Sequence, residues 1–236
     1  MEKGAGETDV TGGTPAVIAI TNLSVFFGRT VALDEVNLDL DPGVVGLFGQ
    51  NASGKSTLLR VLAGLLVPTS GTVTWDGVAI GARGEEVRAR IGYAGHGSGL
   101  YLKLSIRENL LLFARLYGVR TARVDTVVGL LGLTPRAATP VGQLSAGLKR
   151  RAGVARALLH EPDLLLLDEP YAHLDDEASE SVSEAVRSWR APGRTAVIAT
   201  HGAKRIRSFT DARVVLQRGR VVSQLDPTSS AGRTPV

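Results

Sequence analysis

A glycine-rich segment, GQNASGKST at residues 49–57, has the spacing G-x-x-x-x-G-K-S/T. It follows an apolar run at 44–48 and precedes an apolar helical pattern at 58–65. A strand, a loop and a helix in this order let backbone N–H groups and the positive end of the helix converge on phosphate groups. The nucleotide-binding residues predicted by this pattern are Gly49, Asn51, Ala52, Ser53, Gly54, Lys55, Ser56 and Thr57.

Two side chains of this segment suit the ionic parts of a nucleotide. Lys55 would place a positive charge on the β and γ phosphates, and Ser56 would give a hydroxyl oxygen to Mg²⁺. ATP and Mg²⁺ are therefore the predicted cofactors. The same loop occurs in kinases, GTPases and many ATPases, so it indicates the ligand class and leaves the task open.

Two adjacent acids, Asp168 and Glu169, follow four consecutive leucines at 164–167. An uninterrupted apolar run is typical of a strand buried on both faces of a parallel sheet, whose carboxyl end faces the ligand. We expect Asp168 to hold Mg²⁺ directly or through water, and Glu169 to orient the attacking water and accept its proton. The alternative is a polar turn leading to the acidic helix start at 175–177.

The segment LSAGLKRR at 144–151 opens a predicted helix that continues to Leu159. Together with the phosphate loop and the paired acids, it resembles the signature motif of ABC ATPases. The resemblance spans roughly residues 17–222. It implies that Ser145 and Gly147 of one subunit lie against the γ phosphate held by another, and a serine and an amide at a helix N-terminus suit that anion.

Three further positions match the family in order. Phe27 resembles the aromatic residue that stacks on adenine, Asp175 belongs to a segment that lines the dimer interface, and His201 resembles the switch histidine that contacts the γ phosphate. The resemblance thus implies Lys55, Glu169 and His201 as catalytic residues. Taken singly, Phe27 is equally well explained by core packing, and a strand-end cap is the less favoured alternative for His201.

Two positions depart from the family. His96 stands where the family normally has a glutamine that touches the metal, and Leu148 replaces a glutamine of the signature motif. His96 is either a metal-side residue with one hydrogen bond to offer or a tolerated surface substitution. The pair Gly95-His96 with the double arginine at 150–151 is similar to ATPase subunits of haem export and cytochrome c maturation, and antibiotic or lipid exporters are equally compatible.

Short β-type runs alternate with glycine turns and helical patterns. Those runs are residues 16–27, 44–48, 72–80, 91–94, 164–167, 195–200 and 214–222. Residues 104–159 are predicted to be helical, with a capping box from Ser105 to Glu108. The pattern predicts an α/β fold. The resemblance makes it a P-loop NTPase core, a mostly parallel sheet with helices on both faces, plus an antiparallel N-terminal β subdomain and an inserted helical subdomain at about 97–160. We expect a disordered leader at 1–15, one ABC ATPase domain at 16–225 and a disordered tail at 226–236.

Composition excludes several classes of function. The formal charge is only +4 and 5% of the residues are aromatic, so direct nucleic-acid binding is not expected. The chain has no cysteine, which excludes disulfides, thiolate metal sites and cysteine nucleophiles. It offers no run of roughly 20 apolar residues, so a membrane role requires a partner.

The resemblance implies an ATP-binding and ATP-hydrolysing subunit of an ABC transporter, and specifically of an exporter. It would work as a nucleotide-dependent homodimer or heterodimer of ATPase subunits, held at the cytoplasmic face of the membrane by an integral-membrane permease subunit. The alternative is a soluble ABC ATPase that acts on ribosomes or nucleic acid. Such proteins usually join two of these domains or carry coiled arms, and 236 residues without sustained heptads provide neither.

Overall fold

A computed structural model describes residues 18–80, 84–202 and 206–225. The predicted leader at 1–15 and tail at 226–236 lie outside these described residues. The strands are β1 (Ile18–Phe27), β2 (Thr30–Leu40), β3 (Gly43–Phe48), β4 (Ser70–Trp75), β5 (Val78–Ala79), β6 (Ile91–Ala94), β7 (Leu164–Asp168), β8 (Thr195–Thr200), β9 (Ala212–Gln217) and β10 (Arg220–Leu225). The α-helices are α1 (Lys55–Leu62), α2 (Gly84–Ala89), α3 (Ile106–Leu116), α4 (Ala122–Leu130), α5 (Ala146–Leu158) and α6 (Asp176–Trp189).

The strands form two sheets. The smaller is antiparallel, with the order β2-β1-β4-β5, and the larger has the order β10-β9-β3-β8-β7-β6. In the larger sheet β9, β3, β8, β7 and β6 pair in parallel, and β10 joins β9 antiparallel. The predicted mixed α/β architecture is confirmed.

Strand β7 explains why a run of leucines is stable in this fold. All five of its residues are buried, but successive side chains enter different cores because side chains alternate along a strand. Leu164 and Leu166 pack with α1 and the antiparallel sheet. Leu165 and Leu167 pack with the helices that follow β6. Burial on both faces therefore fixes β7 inside the larger sheet, where β8 separates its carboxyl end from that of β3.

The segment between β6 and β7 holds α3, α4, two short 3₁₀ helices and α5. The predicted capping box starts α3: the Glu108 N–H donates to Ser105 Oγ at 3.2 Å, and the Ser105 N–H donates to Glu108 Oε2 at 2.8 Å. The backbone hydrogen bond from Ser105 lowers the pKa of Glu108 below its ordinary value. In the described part of the chain, no helix is long and apolar enough to cross a membrane.

Strand β2 is not predicted by the sequence pattern, and its geometry gives the reason. Leu33 and Val36 are both buried although they are three residues apart, because the pairing with β1 shifts register there and Glu35 has a positive φ of 48°. A bulge of this kind breaks the period of two by which a strand is recognised.

Two predicted runs contain turns. Residues 72–80 divide into β4 and β5 around Asp76 and Gly77, whose φ angles are 50° and 74°. Residues 214–222 divide into the β9 and β10 hairpin around Arg218 and Gly219, with φ angles of 48° and 81°. Left-handed residues at a two-residue turn reverse the chain, so each predicted run is two strands.

Candidate functional site

The loop between β3 and α1 turns tightly. Gly49, Ala52 and Gly54 have positive φ angles of 156°, 61° and 106°. A Cβ atom on Gly49 would lie 2.3 Å from the Leu216 carbonyl oxygen, and one on Gly54 would lie 2.6 Å from that of Ala32. Both glycines are thus required by close backbone packing as well as by conformation.

Lys55 closes this loop from inside. Its side chain is 6% exposed, and Nζ donates to the carbonyl oxygens of Gly49 at 2.8 Å and Gln50 at 3.1 Å. The same Nζ lies 3.9 Å from Glu169 Oε1, on the segment that follows β7. A buried ammonium held this way faces the acids and has one of its three hydrogen-bond donors left for an anion.

Asp168, the last residue of β7, is only 2% exposed. Its Oδ1 and the Oγ of Ser53 are buried without a hydrogen-bond partner in the described part of the chain. An unpaired buried carboxylate oxygen is costly, so a cation that arrives with the nucleotide would fit here. No cluster of three or more acidic, histidine or cysteine ligands exists among the described residues. Mg²⁺ commonly needs only one or two protein ligands beside phosphates, so the donor set suits Mg²⁺ bound together with ATP.

Glu169 and His201 meet at the same place. His201 Nδ1 lies 3.0 Å from Glu169 Oε1, and the Glu169 N–H donates to the Ala199 carbonyl of β8 at 2.8 Å. Glu169 has a φ of 50°, a strained conformation for a residue with a side chain, and such residues cluster at functional sites. The structure therefore brings Lys55, Glu169 and His201 into direct contact, as an acid between a cation and an imidazole.

A second group of predicted residues lies at the starts of α5 and α6. Ser145 is the N-cap of α5 and its Oγ accepts from the Leu148 N–H at 3.3 Å, while Asp175 caps α6 through the Ala178 N–H at 2.8 Å. A Cβ atom on Gly147 would lie 2.8 Å from the His173 carbonyl oxygen, so α5 packs closely on the segment before Asp175.

These capping bonds are local. In the described part of the chain, no hydrogen bond joins Ser145 or Asp175 to the phosphate loop. The structure thus forms two separate groups of site residues within one chain.

The remaining predicted residues lie around the first group. Phe27 ends β1 with 48% of its surface exposed, which argues against core packing. His96 is exposed and follows β6, and Ser56 is exposed in the first turn of α1. Thr57 is half-buried in α1, and Asn51 is exposed in the loop.

Sequence reasoning missed Arg150 of α5. Its Nη1 donates to the carbonyl oxygens of Gly95, at 2.8 Å, and of Asp168, at 3.3 Å. No sequence pattern predicts such a contact, because the acceptors are backbone carbonyl oxygens, which every residue has. Only the folded chain brings those of Gly95 and Asp168 next to Arg150.

Comparisons with known proteins bear on the family of the chain. The model of the ABC transporter family matches residues 33–172. The chain is 35% identical over 217 residues to a Nod factor export ATP-binding protein I of Cupriavidus metallidurans, covering 90% of this chain and 72% of the relative. It is 36% identical over 215 residues to a protein of the same name from Sinorhizobium fredii, covering 89% of this chain and 63% of the relative.

The fold is also that of solved ATP-binding cassettes. A dimeric post-hydrolysis cassette bound to ADP and Pi superimposes with a TM-score of 0.81 at 25% identity, covering 90% of this chain and 99% of that one. The phosphate loop, the paired acids and the capped signature segment occur in one cassette fold. The chain is therefore an ATPase of the ABC transporter family, an ATP-binding subunit of an ABC transporter.

Proposed function

We propose that the chain binds ATP with Mg²⁺ in the loop at 49–57 and hydrolyses it with Glu169, and that a pair of such subunits powers export through a membrane permease. The observation that supports it most strongly is the contact of Glu169 with Lys55, at 3.9 Å, and with His201, at 3.0 Å. These three side chains come from three segments and meet where α1 presents its N-terminal end.

The chemistry we assign to this group is the attack of water on the γ phosphate. The Glu169 carboxylate orients the water and takes its proton, and His201 fixes the carboxylate and contacts the phosphate. Lys55 draws charge from the β and γ phosphates. Ser56 and Asp168 would hold Mg²⁺, which would supply further charge neutralisation. Phe27, half-exposed at the end of β1, is placed to stack on the adenine ring.

The second group of residues completes the site only in a second copy. Ser145 and Gly147 lie at the N-terminal end of α5, which suits an anion, yet within one chain they make no bond to the phosphate loop. We assign them to the γ phosphate held by the partner, with Asp175 at the interface. Two subunits, identical or different, close on two ATP molecules and reopen after hydrolysis. The dimeric form of the solved cassette with ADP and Pi supports this arrangement.

The permease would dock where the helical segment meets the core. A cavity of about 170 Å³ lies there, lined by residues that include Leu65, Tyr117, Arg88, Arg156 and His160. Leu65 is 55% exposed and Tyr117 is 39% exposed, so apolar surface is available beside the cavity. Docking here would place the chain at the cytoplasmic face of the membrane. It would also join the permease to the helical segment, which begins just beyond His96.

Export is the direction we assign, because the relatives are named export ATP-binding proteins. Nod factor is their cargo by name, and the similarity to haem-export subunits is a separate prediction that the relatives do not test. The soluble alternative acting on ribosomes or nucleic acid is not favoured, because those relatives are transporter subunits. We also assign residues 16–225 to one ABC ATPase domain, with residues 97–160 as its helical subdomain.

The replacement Glu169→Gln tests the hydrolytic assignment. The amide keeps the size of the side chain but cannot accept a proton, so we expect phosphate release to fall by about 100-fold or more while ATP stays bound. Size-exclusion chromatography with ATP should then show a trapped dimer. Glu184→Gln, which changes an exposed glutamate of α6, is the control and should behave as the wild type. Undiminished phosphate release by Glu169→Gln would refute the assignment.

A further inference from the structure

Helix α5 sends the side chain of Arg150 back to the ends of two neighbouring strands. Its Nη1 donates to the carbonyl oxygen of Gly95, which directly follows β6, and to that of Asp168, which ends β7. A guanidinium NH₂ has two hydrogens, so one nitrogen serves both acceptors at 2.8 Å and 3.3 Å. Arg150 is half-buried, which protects both bonds from competition by water.

The Asp168 carbonyl belongs to a peptide unit that is held at both of its polar atoms. It belongs to the peptide bond that joins Asp168 to Glu169, and the N–H of the same unit donates to the Ala199 carbonyl of β8 at 2.8 Å. Both polar atoms of this peptide are therefore held from outside, one by α5 and one by β8. The residue that follows, Glu169, has the strained φ of 50°, which persists only where the surroundings impose it.

The hydrogen bond to the Gly95 carbonyl joins Arg150 to a second part of the site. Gly95 is buried and directly precedes His96, where the chain leaves the sheet for the helical segment. One side chain thus connects three places: the entrance to the helical segment, the peptide of the catalytic acid, and α5. The N-terminal end of α5 is the one that we assign to the partner's phosphate.

We propose that Arg150 is a positioning residue, which fixes the Asp168–Glu169 peptide relative to α5. The Glu169 carboxylate is then oriented toward the attacking water only when α5 keeps its position against the ends of β6 and β7. This inference rests on the proposed function, in which the start of α5 covers the nucleotide of the second copy. Docking of Ser145 and Gly147 against that nucleotide is then transmitted through Arg150 to the acid of its own chain. Arg150 donates to the backbone carbonyl oxygens of Gly95 and Asp168, so we assign its effect to the position of Glu169.

A neighbouring arginine provides a matched control. Arg151 also donates from Nη1 to two carbonyl oxygens, those of Leu131 at 3.0 Å and Gly132 at 3.4 Å. It is half-buried like Arg150, but its acceptors lie wholly within the helical segment. A general loss of arginine-to-carbonyl bonds would therefore affect both variants, whereas of these two arginines only Arg150 holds the Asp168–Glu169 peptide.

The experiment compares Arg150→Gln, Arg150→Lys and Arg151→Gln in the full chain. It measures kcat and KM for ATP hydrolysis, ATP affinity by calorimetry, and thermal unfolding. We expect Arg150→Gln to lower kcat about 10- to 100-fold with ATP affinity within about twofold, because only the orientation of the acid is lost. Arg150→Lys, which keeps a positively charged donor nitrogen on the side chain, should recover part of kcat. Arg151→Gln should keep kcat within about twofold, whatever its effect on unfolding.

Each other outcome overturns the proposal. Unchanged kcat in a folded Arg150→Gln variant would exclude positioning, and a parallel loss of ATP affinity and kcat, or an equal loss in Arg151→Gln, would indicate a merely structural role. Should Arg150→Gln not fold, Arg150→Lys decides instead. A lowered kcat at unchanged ATP affinity supports positioning, and a wild-type kcat excludes it. If the wild-type chain itself releases no phosphate, the proposed function fails. If the wild type is active and Arg150→Gln equals it, only this inference fails.

Discussion

The carboxyl end of the central sheet and the N-terminal end of α5 are organised differently. At the sheet, Lys55, Glu169 and His201 come from three segments and contact one another directly. At α5, Ser145 uses its oxygen on the cap of its own helix, and Gly147 packs on the segment before Asp175. The first region is assembled within one chain, and the second presents a helix end whose anion must come from outside. The difference is what we expect if, as proposed above, one chain builds the hydrolytic half of the site and lends the covering half to its partner.

Loss of the buried ammonium should break the first region most severely. Lys55→Ala removes the charge that faces the phosphates and also the two hydrogen bonds that close the loop. We expect ATP affinity, measured by calorimetry, to fall by about 100-fold or more. Lys103→Ala, on an exposed position, is the control and should bind as the wild type. Unchanged binding by Lys55→Ala would show that this loop does not hold the phosphates.

A smaller effect is expected where the first region reaches the surface. His201 is 66% exposed and contacts Glu169 at 3.0 Å, so His201→Ala should lower kcat about 10- to 100-fold and leave ATP affinity within about threefold. Steady-state kinetics and calorimetry on one preparation separate the two quantities. His96→Ala measured in parallel decides between its two interpretations: a loss of kcat supports a metal-side role, and wild-type kinetics support a surface substitution. Equal kinetics of His201→Ala and wild type would remove His201 from the site.

The far end of α5 should affect stability without affecting hydrolysis. His160 follows α5, stacks on Tyr117 with ring centroids 4.1 Å apart and donates from Nε2 to the Ile91 carbonyl at 3.2 Å. Burial lowers the pKa of His160 below its ordinary value of 6.5, and nearby Arg156 lowers it further, while the bond to Ile91 and the charge of Asp163 oppose them.

The sign of the pH dependence follows from that direction. The unfolded chain binds the proton of His160 more readily, so the contribution is fully present above pH 6.5 and is lost as the pH falls from 6.5 toward the folded-state pKa. His160→Gln keeps a donor for Ile91 but does not titrate. Urea unfolding at pH 7.5 and pH 5.5 should therefore show a smaller decrease for the variant than for the wild type. An identical decrease in both proteins would show that His160 does not contribute.

The sequence predicts which residues meet in the first region, because each of its segments is encoded locally. The phosphate loop and the acids Asp168 and Glu169 each have a spacing that specifies strand, turn and charge together, and β7 lies where its leucines require. The contacts of Arg150 were not predictable from local spacing. They join α5 to the Gly95 carbonyl, 55 residues earlier in the chain, and to the Asp168 carbonyl, 18 residues later. Strand β2 was missed for another physical reason, namely the bulge at Glu35 that interrupts its alternation.

The most direct test of the composite site uses two inactive variants. Ser145→Asp keeps a side chain that caps α5 but sets a negative charge against the partner's phosphate. Lys55→Ala removes the ammonium of the phosphate loop and leaves the start of α5 intact. Each alone should be inactive, and an equimolar mixture should regain about a quarter of the wild-type ATPase rate, because half of the dimers are mixed and each has one intact site. Full activity of Ser145→Asp alone, or an inactive mixture in which mixed dimers are shown to form, would contradict the account.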